Sequence, residues 1–376
     1  MTMKLKNLLF GMLCMLALAT LATACSDDND SLDDSGSTVA LPEHRVFILN
    51  EGTNKQNNAG ILFYDPAGKV ATISDIFKKQ NNASLGDTAQ DMIEYKGSIY
   101  VSVYGSNYLA KLNAAGVEQA TVSFVNDADL AAGIRYIAAE GGYIYASFYG
   151  GAVAKINAST LKVEGKLTGL GDNLEGVAIC NNKLYVCDSY RVEGTKYIYN
   201  KQLVVIDLST FTKSGSLEVA TNPNCLLEED DKLFLISWDF SSSAGYVLQM
   251  IEPAAGNKVT QIGNATYMAA EDGILYLVNS ITDFSNYPET STVNTFFTYN
   301  IATGAVSNST FLKNAPEELL STSLYMMEID DETDDIYVGT TFYSAGNGNI
   351  YRFKKDGTFV EKFDCGGQNP KTLVSF

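Results

Sequence analysis

From Val46 onward the chain reads as short apolar–polar alternations broken by Gly, Asn and Asp, the pattern of strands joined by tight turns. Seven of these runs share a centre: Val46-Phe47-Ile48, Ile99-Tyr100-Val101, Ile144-Tyr145-Ala146, Leu184-Tyr185-Val186, Leu233-Phe234-Leu235, Leu275-Tyr276-Leu277 and Ile336-Tyr337-Val338. Their mean spacing is roughly 48 residues, the period of a propeller blade of four strands. In each unit an apolar strand comes first ("DMIEY", "YIAAE", "GVAIC", "CLLEE"), then a turn and the aromatic strand. A third strand ends in Asn or Asp, as in "LAKLN", "VAKIN" and "LVVID", and a weaker fourth completes the sheet. Only "APEELL" reads as a helical turn.

The two ends of the chain fit together. The first unit starts at its aromatic strand, "HRVFILN", with no inner strand before it; the chain finishes on "GGQNPKTLVSF", which matches an inner strand such as "TNPNCLLEE". Pairing the last strand with the first unit closes a ring and removes exposed edges. The expected fold over residues 42–376 is all-β: a seven-bladed β-propeller of four-stranded antiparallel blades, closed by the C-terminal strand.

Residues 1–24 have a different character. Lys4 and Lys6 precede "LLFGMLCMLALATLA", an apolar stretch short for a membrane span, and "LATAC" sets small residues before Cys25. This reads as a lipoprotein signal peptide with Cys25 as the lipidation site, although Ala22 stands where a branched residue is usual; the alternative is an ordinary cleaved leader. Residues 25–41, with their run of aspartates, bury too little surface to offset ordering and read as a lipidated, acidic, flexible tether. The protein is then expected at the outer membrane, lipid-anchored and facing the exterior. The formal net charge of −18 repels phosphate backbones, so no nucleic-acid partner is expected. Cys180, Cys187, Cys225 and Cys365 lie in or beside strands without metal-ligand spacing. Buried thiols are expected, a Cys187–Cys225 disulfide being the alternative. No metal or cofactor is expected.

In a four-stranded blade the first-to-second turns lie on one face of the ring, and the second-to-third loops and blade links on the other. The first set is short ("KG", "GG", "NN", "DD", "DG") except for "DDETDD" at 330–335, either a solvated turn or a calcium loop. The second set is long and rich in tyrosine, and long loops on a rigid scaffold are where binding concentrates. From these loops the candidate ligand-binding residues are Tyr104, Asn107, Tyr108, Tyr149, Tyr190, Tyr197, Trp238, Tyr287 and Tyr343. Gln90, Asp91, Arg135 and Glu175 join them at the ring entrance. Tyrosine offers a flat apolar face and a hydroxyl, which suits a broad ligand with polar edges. The Asn, Gln and Ser residues nearby suit amides or sugar hydroxyls. Phe148 and Phe342 are expected to pack between blades, and the long loop of the fourth unit reads also as an extended hairpin turning at "VEGT".

Catalytic chemistry has little to work with. His44 is the single histidine, and "GLGDNLEG" lacks the lysine of a phosphate loop. Asp91, Asp172 and Glu175 are the only acid–base candidates at the entrance, so a binding protein is expected rather than a hydrolase or lyase. The single tryptophan speaks against tryptophan-docked quinoprotein repeats, sialidase Asp-boxes and regular WD repeats.

Two stretches resemble a known family. "KLYVCDS…KQLVVIDLSTFTKSGSLEVATNPN" is similar to the YVTN-type repeat of YncE-like propellers. "RVFILNEGTNKQNNAGILFYDP" with "LGDTAQDMIEYKGSIYVSVYGSN" resembles the Bacteroidetes lipoprotein branch of that family. The branch includes BtuG, the class of surface lipoproteins that captures cobalamin above its TonB-dependent transporter. What the resemblance implies is capture of a small-molecule ligand, a corrinoid, and delivery to such a transporter; a glycan or protein ligand is the alternative that the same surface allows.

Overall fold

The computed structural model describes residues 32–68, 71–240, 245–283, 285–286 and 290–376. Cys25 and Tyr287 lie outside the described residues. Seven four-stranded antiparallel sheets follow one another. The first is β1 (Val46–Asn50), β2 (Gly60–Asp65) and β3 (Ala71–Ile73), completed on its inner side by β28 (Pro370–Ser375). The second runs β4 (Ala89–Tyr95), β5 (Ser98–Val103), β6 (Tyr108–Asn113) and β7 (Glu118–Ser123). The third runs β8 (Ile134–Glu140), β9 (Tyr143–Phe148), β10 (Ala152–Asn157) and β11 (Val163–Leu167). The fourth runs β12 (Asn173–Cys180), β13 (Lys183–Glu193), β14 (Lys196–Asp207) and β15 (Thr212–Glu218). The fifth runs β16 (Pro223–Glu229), β17 (Lys232–Asp239), β18 (Gly245–Glu252) and β19 (Lys258–Asn264). The sixth runs β20 (Tyr267–Glu271), β21 (Ile274–Asp283), β22 (Ser291–Asn300) and β23 (Val306–Ser307). The seventh runs β24 (Leu324–Ile329), β25 (Ile336–Thr340), β26 (Asn349–Phe353) and β27 (Phe359–Asp364). The inner strands β28, β4, β8, β12, β16, β20 and β24 pack side by side around a central channel. This is the seven-bladed propeller that the repeat predicts.

The short turns between first and second strands follow from their residues. Lys96-Gly97, Gly141-Gly142, Asn181-Asn182, Asp230-Asp231 and Asp272-Gly273 all have positive φ at both positions. Gly, Asn and Asp tolerate that conformation, which matches the twist of the paired strands. Between the sheets, the repeat aromatics fill the core: Phe47, Tyr100, Tyr145, Tyr185, Phe234 and Tyr337 are buried, and Tyr276 is half-buried against Phe311. Hydroxyl groups stitch blades together. The Tyr100 hydroxyl donates to the Ala158 carbonyl (2.7 Å), Ser102 Oγ to the Arg135 carbonyl (2.6 Å) and Ser147 Oγ to the Glu175 carbonyl (2.7 Å).

The ring is closed by β28, whose Thr372, Leu373, Val374 and Ser375 pair with Leu49, Ile48, Phe47 and Val46. Main-chain bonds between Arg45 and Phe376 extend the seam in both directions (2.9 and 3.0 Å). Asp34–Phe376 form one compact unit, so the end of the acidic segment is docked on the ring. Arg45, 2% exposed, donates to Asp34 Oδ1 (2.6 Å), the Pro42 carbonyl (2.7 Å) and the Ala114 carbonyl (3.0 Å).

The structure departs from the sequence reading in three places. "DDETDD" is solvated only at its tip, Asp331–Thr333, and its flanks are built into the ring: Asp330 is buried and accepts from the Glu332 N–H and the Thr333 hydroxyl and pairs with His44 Nε2 (2.9 Å), while Asp335 pairs with buried Arg352 (2.6 Å). A six-residue helix, α1 (Ile76–Asn81), sits in the first blade link, where strand periodicity gives no signal. Asp75 caps it by accepting from the Lys78 N–H (3.0 Å), and Asn82 ends it in the left-handed region. Phe148 is buried as expected, but Phe342 is 47% exposed: β25 ends at Thr340, so Phe342 lies beyond the strand, at the cap of the short helical turn Tyr343–Ala345.

Truncation before Pro370 tests the seam. Removing β28 opens the inner edge of β1 and uncovers apolar residues of the first and seventh blades. The expected result is loss of the cooperative thermal transition by circular dichroism; a truncated chain that melts like the full one contradicts the closed ring.

Candidate functional site

The inner strands share a local irregularity at one end. Among the seven, all but β20 have a register shift against their second strand near the channel mouth. A bulge adds a residue with no partner opposite and re-aims its side chain. The residues so released are Gln90, Arg135, Glu175, Asn224, Tyr325 and Lys371, and Thr266 stands at the matching place before β20. Every blade thus sets one polar side chain at the same level, a collar around the mouth. Gln90, Glu175, Asn224 and Thr266 are buried there.

Two ion pairs organise the collar. Arg135 donates through Nε (2.9 Å) and Nη2 (2.7 Å) to Glu175 Oε2, while the Tyr149 hydroxyl donates to Glu175 Oε1 (2.6 Å). The Arg135 guanidinium lies 4.8 Å from the Tyr104 ring centroid and 4.5 Å from that of Tyr149, wedged between the two. A Cβ on Gly133 would stand 2.5 Å from the Tyr104 ring, so this approach requires glycine, which also sits at φ +119. Across the mouth, Lys371 Nζ (3.0 Å) and the Tyr325 hydroxyl (2.9 Å) both donate to Glu51 Oε2. Burial and the neighbouring Glu175 push the Tyr149 hydroxyl far above its ordinary value, so it remains a donor.

The aromatic rings continue outward as an arc. Tyr104 meets Tyr149 at 5.4 Å, Tyr149 meets Tyr190 at 6.1 Å, and Tyr190 meets Tyr197 at 5.5 Å. Interplanar angles of 72° and 77° place edges against faces in the first two pairs, a favoured arrangement, and the third pair is tilted at 52°. Tyr197, 62% exposed, forms the outer end. It is carried on the β13–β14 hairpin, which turns at Gly194 as the alternative reading of "VEGT" has it. A smaller cleft of about 170 Å³ opens on the fifth and sixth blades, lined by Trp238, Phe240, Tyr246 and Tyr343 with the hydroxyls of Thr266, Ser280, Thr282 and Ser323.

Two sequence candidates stand apart from this arc. Asn107 is buried, donating to the Leu130 carbonyl (3.1 Å) and accepting from the Ile134 N–H (2.9 Å). The Tyr108 hydroxyl is taken up by the Leu85 carbonyl. Both hold the loop in place. Asp172 donates its N–H to Asp188 (3.2 Å). Residues that sequence reasoning missed are Glu51, Asn224, Tyr325 and Lys371 of the mouth, and Tyr136, Tyr267 and Glu328 deeper in.

Below the collar a cavity of about 560 Å³ runs along the axis. Asp91 lines it, accepting from the Met92 (3.0 Å) and Ile137 (2.9 Å) N–H groups; burial raises its carboxyl to about 6. Burial raises Glu328 further, to about 8, with the Thr372 hydroxyl opposing and the Asp91 and Asp331 carboxylates adding to the rise. Cys180, Cys187, Cys225 and Cys365 are free thiols, so the disulfide alternative does not hold. Among the described residues one trio, Cys180, Glu228 and Asp231, brings three ligand atoms within 4.8 Å, away from the mouth on the short-turn face. Burial lifts the Cys180 thiol to about 11, which keeps it protonated.

No protein-family model matches the chain, and no curated protein sequence matches it. Solved structures similar to it include a quinoprotein alcohol dehydrogenase-like protein of Bacteroides thetaiotaomicron, at 16% identity and a TM-score of 0.61 over 87% of this chain and 77% of that one. Hydrazine synthase of Kuenenia stuttgartiensis matches at 14% identity and 0.54, over 69% of this chain and 74% of that one. The WD40 domain of Neurospora crassa Pan2 matches at 8% and 0.51, over 76% and 78%. The likeness is one of fold, and it defines the protein as a β-propeller.

The raised carboxyl of Glu328 has a sign for stability. A folded value of about 8 against 4.5 unfolded means that the folded state binds the extra proton between those limits, so this contribution falls as pH rises through that window. Removing the charge with Glu328→Gln should therefore stabilise the protein at pH 8.5 relative to pH 5. The check is the difference in Tm between variant and parent; a difference that is flat or falls with pH contradicts it.

Proposed function

We propose that this protein captures a broad, polar-edged small molecule on the tyrosine arc at the channel mouth. The class of ligand is a corrinoid, as the sequence resemblance implies. The reading extends to the cell: a lipid at Cys25 holds the propeller on the outer membrane, facing outward, and the ligand passes to a TonB-dependent transporter. The observation that carries the reading is the run Tyr104–Tyr149–Tyr190–Tyr197 ending on the Arg135–Glu175 pair. An edge-to-face row cannot shield itself as a flat stack would, and it offers ring edges and hydroxyls to a large planar partner. The collar of amide, hydroxyl and charged groups beside it supplies both donors and acceptors, which an amide-fringed ring requires.

A second reading rests on the smaller cleft. Exposed Phe240 and Tyr343 flank Trp238, with four hydroxyl-bearing side chains beneath, a combination that also suits a saccharide ring. Gel filtration of the protein with cyanocobalamin separates the two. Coelution of the red ligand is expected, with Tyr190→Ala and Tyr197→Ala each weakening binding by roughly threefold to tenfold. A colourless protein peak overturns the corrinoid reading, and retention on a polysaccharide gel that Trp238→Ala abolishes replaces it with the saccharide.

A further inference from the structure

The aromatic arc does not stop at Tyr197. Tyr199 stands opposite Tyr190 in the β13–β14 hairpin, so the two rings share one face of the sheet. Tyr199 meets Phe240 of the fifth blade at 6.4 Å, and Phe240 in turn meets Trp238 at 6.3 Å and Tyr246 at 6.0 Å. One aromatic band therefore runs from Tyr104 in the second blade to the walls of the smaller cleft. Trp238, Thr266 and Tyr267 line both that cleft and the axial cavity, so the cleft opens beside the mouth that the arc borders.

The cleft differs from the arc in its chemistry. No charged side chain lines it among the described residues, whereas the arc ends on the Arg135–Glu175 pair. Its polar groups are hydroxyls, among them Ser280, Thr282 and Ser323. The Phe240 and Tyr246 rings stand at 89° and form a corner, so a flat group lying on one meets the other edge-on. The seventh blade contributes Tyr343, which the chain holds at φ +53, a costly conformation for a bulky residue. Its N–H donates to Thr341 Oγ1 (2.7 Å), and that hydroxyl donates to buried Asn369 (2.6 Å). The ring so held is 59% exposed, so the strained backbone presents it to the cleft rather than packing it in a core.

We infer that arc and cleft are two halves of one site, and that the cleft seats a flat, uncharged ring with hydroxyl groups attached, carried on an arm of the ligand that rests on the arc. This rests on the corrinoid reading, in which the ring is the benzimidazole base, with its ribose, at the end of the nucleotide loop. A volume of about 170 Å³ suits such an appendage and is too small for the corrin itself. The aromatic corner takes the base, and the serine and threonine hydroxyls suit the ribose. A separate saccharide would need no connection to the arc; the continuous aromatic band favours one ligand for both halves.

Cyanocobalamin and dicyanocobinamide test it, since the second has the same corrin and lacks the nucleotide loop. In titrations of the purified protein, cyanocobalamin is expected to bind roughly tenfold more tightly. Phe240→Ala and Tyr343→Ala should each shrink that preference to about threefold, and the double variant should abolish it. Both residues are 59% exposed, so their truncation empties no core. Tyr190→Ala, on the arc, should weaken both ligands and keep the preference. Equal affinity of the parent for the two corrinoids, or a preference that survives the double variant, overturns the two-part site, while binding of both leaves the corrinoid reading standing. If neither corrinoid binds, the corrinoid reading falls and the assignment of the cleft falls with it.

Discussion

Closure of the ring by β28 is the constraint on which the rest depends. A stack of twisted four-stranded sheets left open would expose the inner edge of β1 and the apolar flanks of the two terminal blades. Supplying that edge from the far end of the chain makes the whole sequence a condition for the first blade. It also has a chemical consequence. The strand that seals the ring carries Lys371 and Thr372 to the channel, beside Glu51 and Glu328 from the first and last blades. Fold closure and site assembly are one event.

The bulges do the second part of the work. A regular inner strand would alternate its side chains between the two neighbouring blades, leaving little for the axis. One extra residue in six of the seven inner strands breaks that alternation at the mouth and turns a polar side chain inward. The cost is a lost ladder bond, and inter-blade hydroxyls offset it: Ser102 and Ser147 reach the carbonyls of Arg135 and Glu175 on the next blade. Rigid placement follows, because the carbonyl behind each of those two functional side chains is itself tied down.

Fold was legible because the repeat is written in residue types that turns and cores demand: an aromatic at the centre of each second strand, and Gly, Asn or Asp at every positive-φ position of the five tight turns except Lys96. The elaborated face was legible for the same reason, since loop length shows without coordinates. The division of labour within it was not. Tyr104 and Tyr108 lie in one short stretch, yet one joins the arc and the other fastens Leu85. Asn107 has the polarity of a ligand contact and spends it on the Leu130 and Ile134 backbone. Nothing local separates these roles; the neighbouring blade does. Lys371, Asn224 and Tyr325 escaped notice although they occupy the slot held by Gln90, Arg135 and Glu175 in other units. Aligning the repeats on the inner strand rather than the aromatic strand would have exposed that slot. The helix Ile76–Asn81 was hidden because a six-residue helix spans less than two turns, too short for a periodic signal.

The tyrosine arc and the collar beside it are the proposed place where ligand is held. A crystal structure of the protein grown with cyanocobalamin addresses that most directly. Corrin density is expected to rest on Tyr149, Tyr190 and Tyr197 with its amide fringe toward the Arg135–Glu175 pair. Density on the opposite, short-turn face, or an empty mouth in a protein that demonstrably binds the ligand, would contradict it.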